Sequence, residues 1–226
     1  MTSRTNQRAG HSESAEALWG GLDEAWRVAF PQAWEAFRGG NIAVGACVTD
    51  AAGAVVHASR NRVADGDGPR GEVFGSTLAH AEVNVLARLP FGLARELVLT
   101  TTLEPCLQCS AAIRLGPIST VHFAGSDPLW AGCHDFGPLS PREAERRGAE
   151  LIGPRRDELG VFGTVIARFW PHGARTEAFL RTHGERDILA LVERLREEAI
   201  KSRLVQMEVD EALGFLWPQL TAIARA

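Results

Sequence analysis

Apolar and polar positions along the chain change period several times, and each change predicts an element. Residues 14–38 carry a helical pattern, with breaks expected at Gly20-Gly21 and at Pro31. "NIAVGACVT" (41–49) and "AVVHASR" (54–60) read as strands, with "DAAG" between them as a hairpin turn. "DGDGPRGEVFGS" (65–76) is Gly-rich, without a period, and reads as a loop. A helix is expected from about His80 to Arg88, stopped by Pro90, followed by the β-rich run "ELVLTTT" (96–102). Pro105 suits the start of a further helix reaching about Leu115. "ISTVHFAG" (118–125) reads as the next strand, and the apolar run "GVFGTVIARFW" (160–170) as a later one.

Strands alternating with helices imply a sheet covered on both faces. The pattern differs toward the end of the chain. Ile188, Leu191, Val192 and Leu195 recur at helical spacing with charges between them. Residues 175–226 are therefore expected to be a helical C-terminal extension, whose apolar stripe serves packing or dimerisation or closes over a site. Residues 14–174 are expected to form the main domain, and the polar residues 1–13 a disordered tail.

Composition narrows the class. At 226 residues the chain can bury one substantial core and still carry extra elements. Its 28 acidic residues outnumber 24 basic ones, which argues against a surface built to neutralise phosphates. No apolar run reaches membrane-spanning length, so no membrane role is expected. The polar start lacks a secretory apolar region, which predicts a cytoplasmic protein with reduced thiols. The four cysteines are then not a disulfide framework. Cys106 and Cys109, spaced C-x-x-C, suit a metal or redox role, whereas Cys47 in its apolar run reads as a buried structural thiol.

Two stretches carry chemistry: "TLAHAEVNVLARL" (77–89) and "TTLEPCLQCSAAI" (101–113). Cys106 and Cys109 share one helix face at a helix N-terminus, where free N–H groups favour thiolates. His80 also lies at a helix start. One imidazole and two thiolates suit a zinc ion, one per chain, and three ligands rather than four leave a position for water. His80 and Glu82 are two apart, so on a regular helix they would diverge. They converge if His80 caps the helix with non-helical backbone while Glu82 sits in the first turn. Glu82 then moves protons beside the metal without binding it. A structural zinc site would instead need a fourth ligand, for which Cys133 or His134 is available.

The order H-x-E…P-C-x-x-C resembles the signature of zinc deaminases. With "NIAVGACVTDAAGAVVHASRNRV", "AHAEVNVL" and "VHFAG" in sequence, about residues 22–170 resemble the cytidine-deaminase-like superfamily. "LEPCxxC" is most similar to its branch of tRNA adenosine deaminases, guanine deaminases and fungal-type cytosine deaminases. The resemblance implies a three-layer α/β/α sandwich around a five-stranded mixed sheet, as a homodimer. It implies zinc on His80, Cys106 and Cys109, with Glu82 as proton shuttle. It also implies that Asn61, in "SRNRV", and the backbone at Ala81 meet the base, although Asn61 also suits a turn. Asp135, in "WAGCHDF", matches an Asp that reads purines in guanine deaminases; it equally suits a loop cap. The expected activity is hydrolytic deamination of a free nucleobase or nucleoside, releasing ammonia. The alternatives are a tRNA adenosine deaminase and a non-catalytic, zinc-stabilised interaction module. The acidic balance, and the lack of an evident basic C-terminal helix, favour the small substrate.

Overall fold

A computed structural model describes residues 13–226, so the expected tail at 1–13 falls almost wholly outside the described residues. Two helices open the described chain, α1 (Ala15–Gly20) and α2 (Glu24–Arg38). Gly21 ends α1, but Pro31 does not interrupt α2. Proline removes one N–H from a helix. Here Phe30, Ala33, Trp34 and Phe37 bury the face around it, and that packing carries the helix through.

The strands are β1 (Gly45–Thr49), β2 (Val55–Arg60), β3 (Leu97–Leu103), β4 (Ile118–Gly125) and β5 (Glu150–Ile152). They form one five-stranded sheet in the order β2-β1-β3-β4-β5. The sheet is mixed: β1 runs antiparallel to β2 and β3, while β3, β4 and β5 are parallel. The β1–β2 turn is closed by Asp50, whose carboxylate accepts from the N–H groups of Ala52 and Ala54, both at 2.9 Å.

Helices α3 (Ala81–Ala87) and α4 (Leu107–Leu115) cover one face of the sheet, where Val44, Ala46, Val48, Val85, Leu99 and Ile113 form a core. The other face is covered by α2 and α6 (Glu158–Ala167). This is the three-layer α/β/α arrangement around a five-stranded mixed sheet. Cys47 points toward α2, buried, with its thiol donating to the Ala25 carbonyl at 3.3 Å. Burial pushes that thiol up to about 12. The short helix α5 (Pro141–Glu145) lies between β4 and β5.

One expectation about the sheet needs correction. The run 160–170 is not a strand; most of it belongs to helix α6. Leu159, Phe162, Val165 and Ile166 are all buried, so no solvent-facing positions reveal a helical period. Asp157 caps α6, accepting from the Gly160 N–H at 3.1 Å. The actual fifth strand, β5, has three exposed residues paired with Thr120–His122, too short and too polar to show a pattern. Glycines at 160 and 163 have a packing reason: a Cβ on Gly163 would lie 2.4 Å from the Thr102 carbonyl oxygen, and one on Gly160 would lie 2.3 Å from that of Arg155.

The remaining helices are α7 (Ala174–Thr182), α8 (Arg186–Leu195), α9 (Glu198–Gln206) and α10 (Val209–Ala224). Ile188, Leu191, Val192 and Leu195 are buried, but against the same chain: they join one core with α1, α2, α6 and α10. The stripe therefore has its partner within the protomer. Trp34 reinforces the junction, its indole N–H donating to the Met207 carbonyl at 2.8 Å. No helix among the described residues is long and apolar enough to cross a membrane.

The close approach of α6 to β3 yields a prediction. Gly163→Ala should destabilise the protein by about 1–3 kcal/mol, because its Cβ meets backbone that cannot step aside. Gly66→Ala, with nothing within 4 Å, should change stability little. Urea unfolding of both variants measures this, and equal stabilities would show that α6 does not need that approach.

Candidate active site

Two helix starts define the site. His80 is the N-cap of α3, with extended backbone (φ −76°, ψ 151°), and Glu82 lies in the first turn. Cys106 is the N-cap of α4, also extended (φ −70°, ψ 175°), and Cys109 lies in its first turn. Pro105 thus precedes the cap rather than occupying the first helical position. The cap conformation lets the i, i+2 pair of His80 and Glu82 converge, as a regular helix would not.

His80 Nδ1 lies 3.5 Å from Cys106 Sγ and 3.4 Å from Cys109 Sγ, and the two sulfurs are 3.6 Å apart. A tetrahedral zinc with its usual bond lengths separates such ligand atoms by roughly 3.5–3.8 Å. The donor set and its spacing therefore fit zinc. This is the one His/Cys/Asp/Glu cluster of this kind among the described residues. Neither Cys133 nor His134 joins it. Cys133 Sγ contacts the Pro105 carbonyl and Ser110 Oγ, both at 3.7 Å, while His134 sits between Ser110 Oγ (2.8 Å) and Glu104 Oε1 (3.1 Å). The triad keeps the three-ligand pattern of a catalytic centre.

Electrostatics around the triad favour the same chemistry. The hydrogen bond between the two sulfurs chiefly pulls the Cys106 thiol down to about 4, with His80 adding to it. The same bond pushes Cys109 up, so the pair shares one thiolate readily. Glu82 is buried, and burial raises its carboxyl above the usual range. Its Oε1 accepts from Thr101 Oγ1 on β3 at 2.9 Å, and its Oε2 lies 3.4 Å from Cys109 Sγ. A carboxyl so placed adjoins the open side of the triad and readily holds a proton.

A cavity of about 380 Å³ opens onto these groups. Ile42, Val44 and Leu103 give it apolar walls, and Asn61, His80, Glu82 and Cys106 line its metal end. Asn61 is buried, with its Oδ1 accepting from the Val63 N–H at 3.1 Å, so a turn role and a place in the pocket coexist. Its position is fixed from both sides: its N–H donates to Val44 (2.9 Å), and Arg62 N–H donates to Ala79, next to His80 (2.8 Å). Asp65 braces the following loop, accepting from Asn41 at 2.6 Å, Arg60 at 2.8 Å and Arg62 at 2.9 Å.

Ala81 is the first residue of α3, buried between the lining residues His80 and Glu82 without itself lining the cavity. Asp135 is exposed, is not among the residues lining the cavity, and caps its own loop by accepting from the Gly137 N–H at 3.0 Å. The sequence reading missed the outer wall, formed by Asp127, Trp130, Arg168, Trp170, His172 and Thr176. One signal was present: an arginine closing the apolar run 160–170 requires carboxylate partners once buried.

These ligands predict that protein purified without added metal carries about one zinc per chain. Elemental analysis should find it lost in Cys109→Ala and kept in Cys133→Ala. Retention in the first variant, or loss in the second, would mean a different ligand set.

Residues 22–124 match the family model for the cytidine and deoxycytidylate deaminase zinc-binding region. Among solved structures, the chain is similar to a tRNA deaminase studied for A-to-I editing at the wobble position of transfer RNA. That match has 24% identity and a TM-score of 0.45, over 57% of this chain and 95% of that one. It is similar to guanine deaminase from Bacillus subtilis at 24% identity and TM-score 0.39, over 60% of this chain and 83% of that one. Guanine deaminase from Nitrosomonas europaea matches at 20% identity and TM-score 0.43, over 72% of this chain and 86% of that one. No curated protein gives a match. The matched region contains all three converging ligands and the buried carboxyl beside them, so the zinc-site residues of this chain fall within its likeness to the zinc-binding region of cytidine and deoxycytidylate deaminases.

Proposed function

We propose that the protein hydrolyses the amino group of a free nucleobase or nucleoside to a carbonyl, releasing ammonia. The observation that carries this reading is Glu82: a buried carboxyl, anchored by Thr101, next to a three-ligand metal triad. A purely structural zinc site has no use for it. Zinc bound by His80, Cys106 and Cys109 would supply Lewis acidity that makes water a nucleophile near neutral pH.

The chain's own groups do the rest. Glu82 takes a proton from the attacking water as its oxygen bonds to the ring carbon bearing the amino group. It returns that proton to the adjacent ring nitrogen, and it passes the second water proton to the departing amine. The C–N bond then breaks, a C=O bond remains, and water plus substrate balance carbonyl plus ammonia. Its raised proton affinity suits a group that must both accept and give. The Asn61 side chain, at the metal end of the cavity, holds the polar edge of the base.

Small substrates are supported by the cavity, whose roughly 380 Å³ lies in the range of small-molecule sites. Three of its lining residues, Glu82, Glu104 and Asp127, are acidic, and the chain's net charge is −4. Both features suit an uncharged heterocycle better than a polyphosphate chain. We also propose a homodimer, because Leu78, Leu107 and Leu115 expose apolar surface around α4. Light scattering should give twice the protomer mass, falling in Leu115→Glu; a monomer in both would reject it.

Glu82→Gln should keep fold and zinc but lose turnover by ~10²–10⁴-fold or more. Ammonia release on free bases, nucleosides and unmodified tRNA, with metal content and melting temperature alongside, measures this. Full zinc with a near-normal rate would reject the role of Glu82. Turnover confined to tRNA and weakening steeply with salt would reject the small substrate.

A further inference from the structure

The polar groups of the outer pocket wall divide sharply when their hydrogen bonds are accounted for. Arg168, only 2% exposed, donates to both carboxylate oxygens of Glu185 (2.6 and 2.7 Å) and to Asp127 Oδ1 (2.8 Å). Asp127 also accepts from the Leu129 N–H at 3.2 Å, and its own N–H donates to Glu104 Oε2 at 2.9 Å. Glu104 Oε1 is in turn held by His134 at 3.1 Å. Arg168, Asp127 and Glu104 are thus committed to one another and to their neighbours.

His172 differs from them, and it carries the one buried side-chain nitrogen or oxygen of this wall without a partner among the described residues. It lines the pocket, its Nε2 is buried, and neither ring nitrogen has a hydrogen-bond partner among the described residues. Buried polar atoms in folded proteins are almost always paired, so such an atom in a pocket wall points to a partner that the protein does not supply. The backbone leading to it is held in place. Arg196 donates to the carbonyls of Arg168 (2.8 Å), Trp170 (3.3 Å) and Phe169 (3.4 Å), on the segment that leads to it. Helix α7 starts at Ala174, just beyond. His172 therefore sits on a short link between two anchored elements.

We propose that His172 is a substrate-selecting residue, hydrogen-bonding the edge of the substrate remote from the reacting amino group; this rests on the deaminase reading above. Burial, and then the nearby Arg168 guanidinium, lower the proton affinity of the imidazole. A neutral imidazole offers one N–H and one lone pair, which match a ring N–H or carbonyl of an uncharged heterocycle and give no grip on a phosphate. The C-terminal helices gain a role in the same step. Glu185, at the start of α8, and Arg196, at its end, fix the wall that carries His172.

The test uses the full-length zinc-loaded protein, with His172→Ala and His172→Gln. The probes are guanine, cytosine, adenine and their ribonucleosides. On the substrate turned over best, His172→Ala should raise KM by about tenfold or more while kcat changes by less than about threefold. His172→Gln, which keeps an N–H and an acceptor, should recover part of the loss. Zinc content and melting temperature should match wild type, and the ranking of the six probes should change. Unchanged KM and ranking would overturn the proposal, as would a joint fall in kcat, KM and melting temperature that Gln does not rescue. Binding is read independently from tryptophan fluorescence, since Trp130 and Trp170 line the same pocket. If wild type releases ammonia from none of the six probes, the deaminase reading is lost. His172 is then judged on whether His172→Ala raises the Kd, and a wild type quenched by no probe counts against it.

Discussion

Two helices that begin at one point hold the whole arrangement together. Helix α3 brings His80 and Glu82, helix α4 brings Cys106 and Cys109, and in both the cap residue is extended rather than helical. That detail of backbone turns two ordinary sequence spacings into four converging side chains. The N-termini of both helices lie here, beside the lowered thiol of Cys106. The sheet supplies the remaining order. Thr101 on β3 anchors Glu82, and β3 leads directly into the Glu104–Pro105 segment before α4. A shift of about 1 Å in either helix would spoil both the ligand spacing and the reach of the carboxyl.

The inner half of the site was legible because its residues are rare types at tight local spacings. His80, Cys106 and Cys109 needed only helix boundaries to be placed together, and those boundaries carried cap and proline signals. The outer half was not legible. Trp130 follows β4, whereas Arg168 and His172 follow α6, and no local spacing relates these two segments. The same limit explains α6. Its residues are nearly all buried, so it shows no amphipathic period, and its Gly160 and Gly163 are contact points against backbone that no local pattern signals. At Asp135, where a motif match and a loop cap were equally legible, the fold gives an exposed loop in which the side chain accepts from the Gly137 N–H.

The C-terminal helices are bound to the pocket by charge as well as by apolar packing. Their stripe at Ile188, Leu191, Val192 and Leu195 is buried within the protomer, which removes the need for a partner to cover it. Arg168 then ties Glu185, at the start of α8, to Asp127 at the pocket wall. Breaking a buried ion pair leaves an uncompensated charge, so such a network enforces one arrangement of the wall even where it adds little net stability. Apolar burial sets where α8 lies, and the ion pairs set what it holds in place.

The central claim is that the metal has three protein ligands and one open position beside Glu82. Zinc K-edge X-ray absorption on the purified protein tests this most directly. The account predicts two sulfur neighbours at about 2.3 Å and two lighter neighbours at about 2.0 Å, one of them exchanging when an unreactive base analogue is added. Three sulfur neighbours, or a shell indifferent to every added ligand, would contradict it, because the site would then be closed.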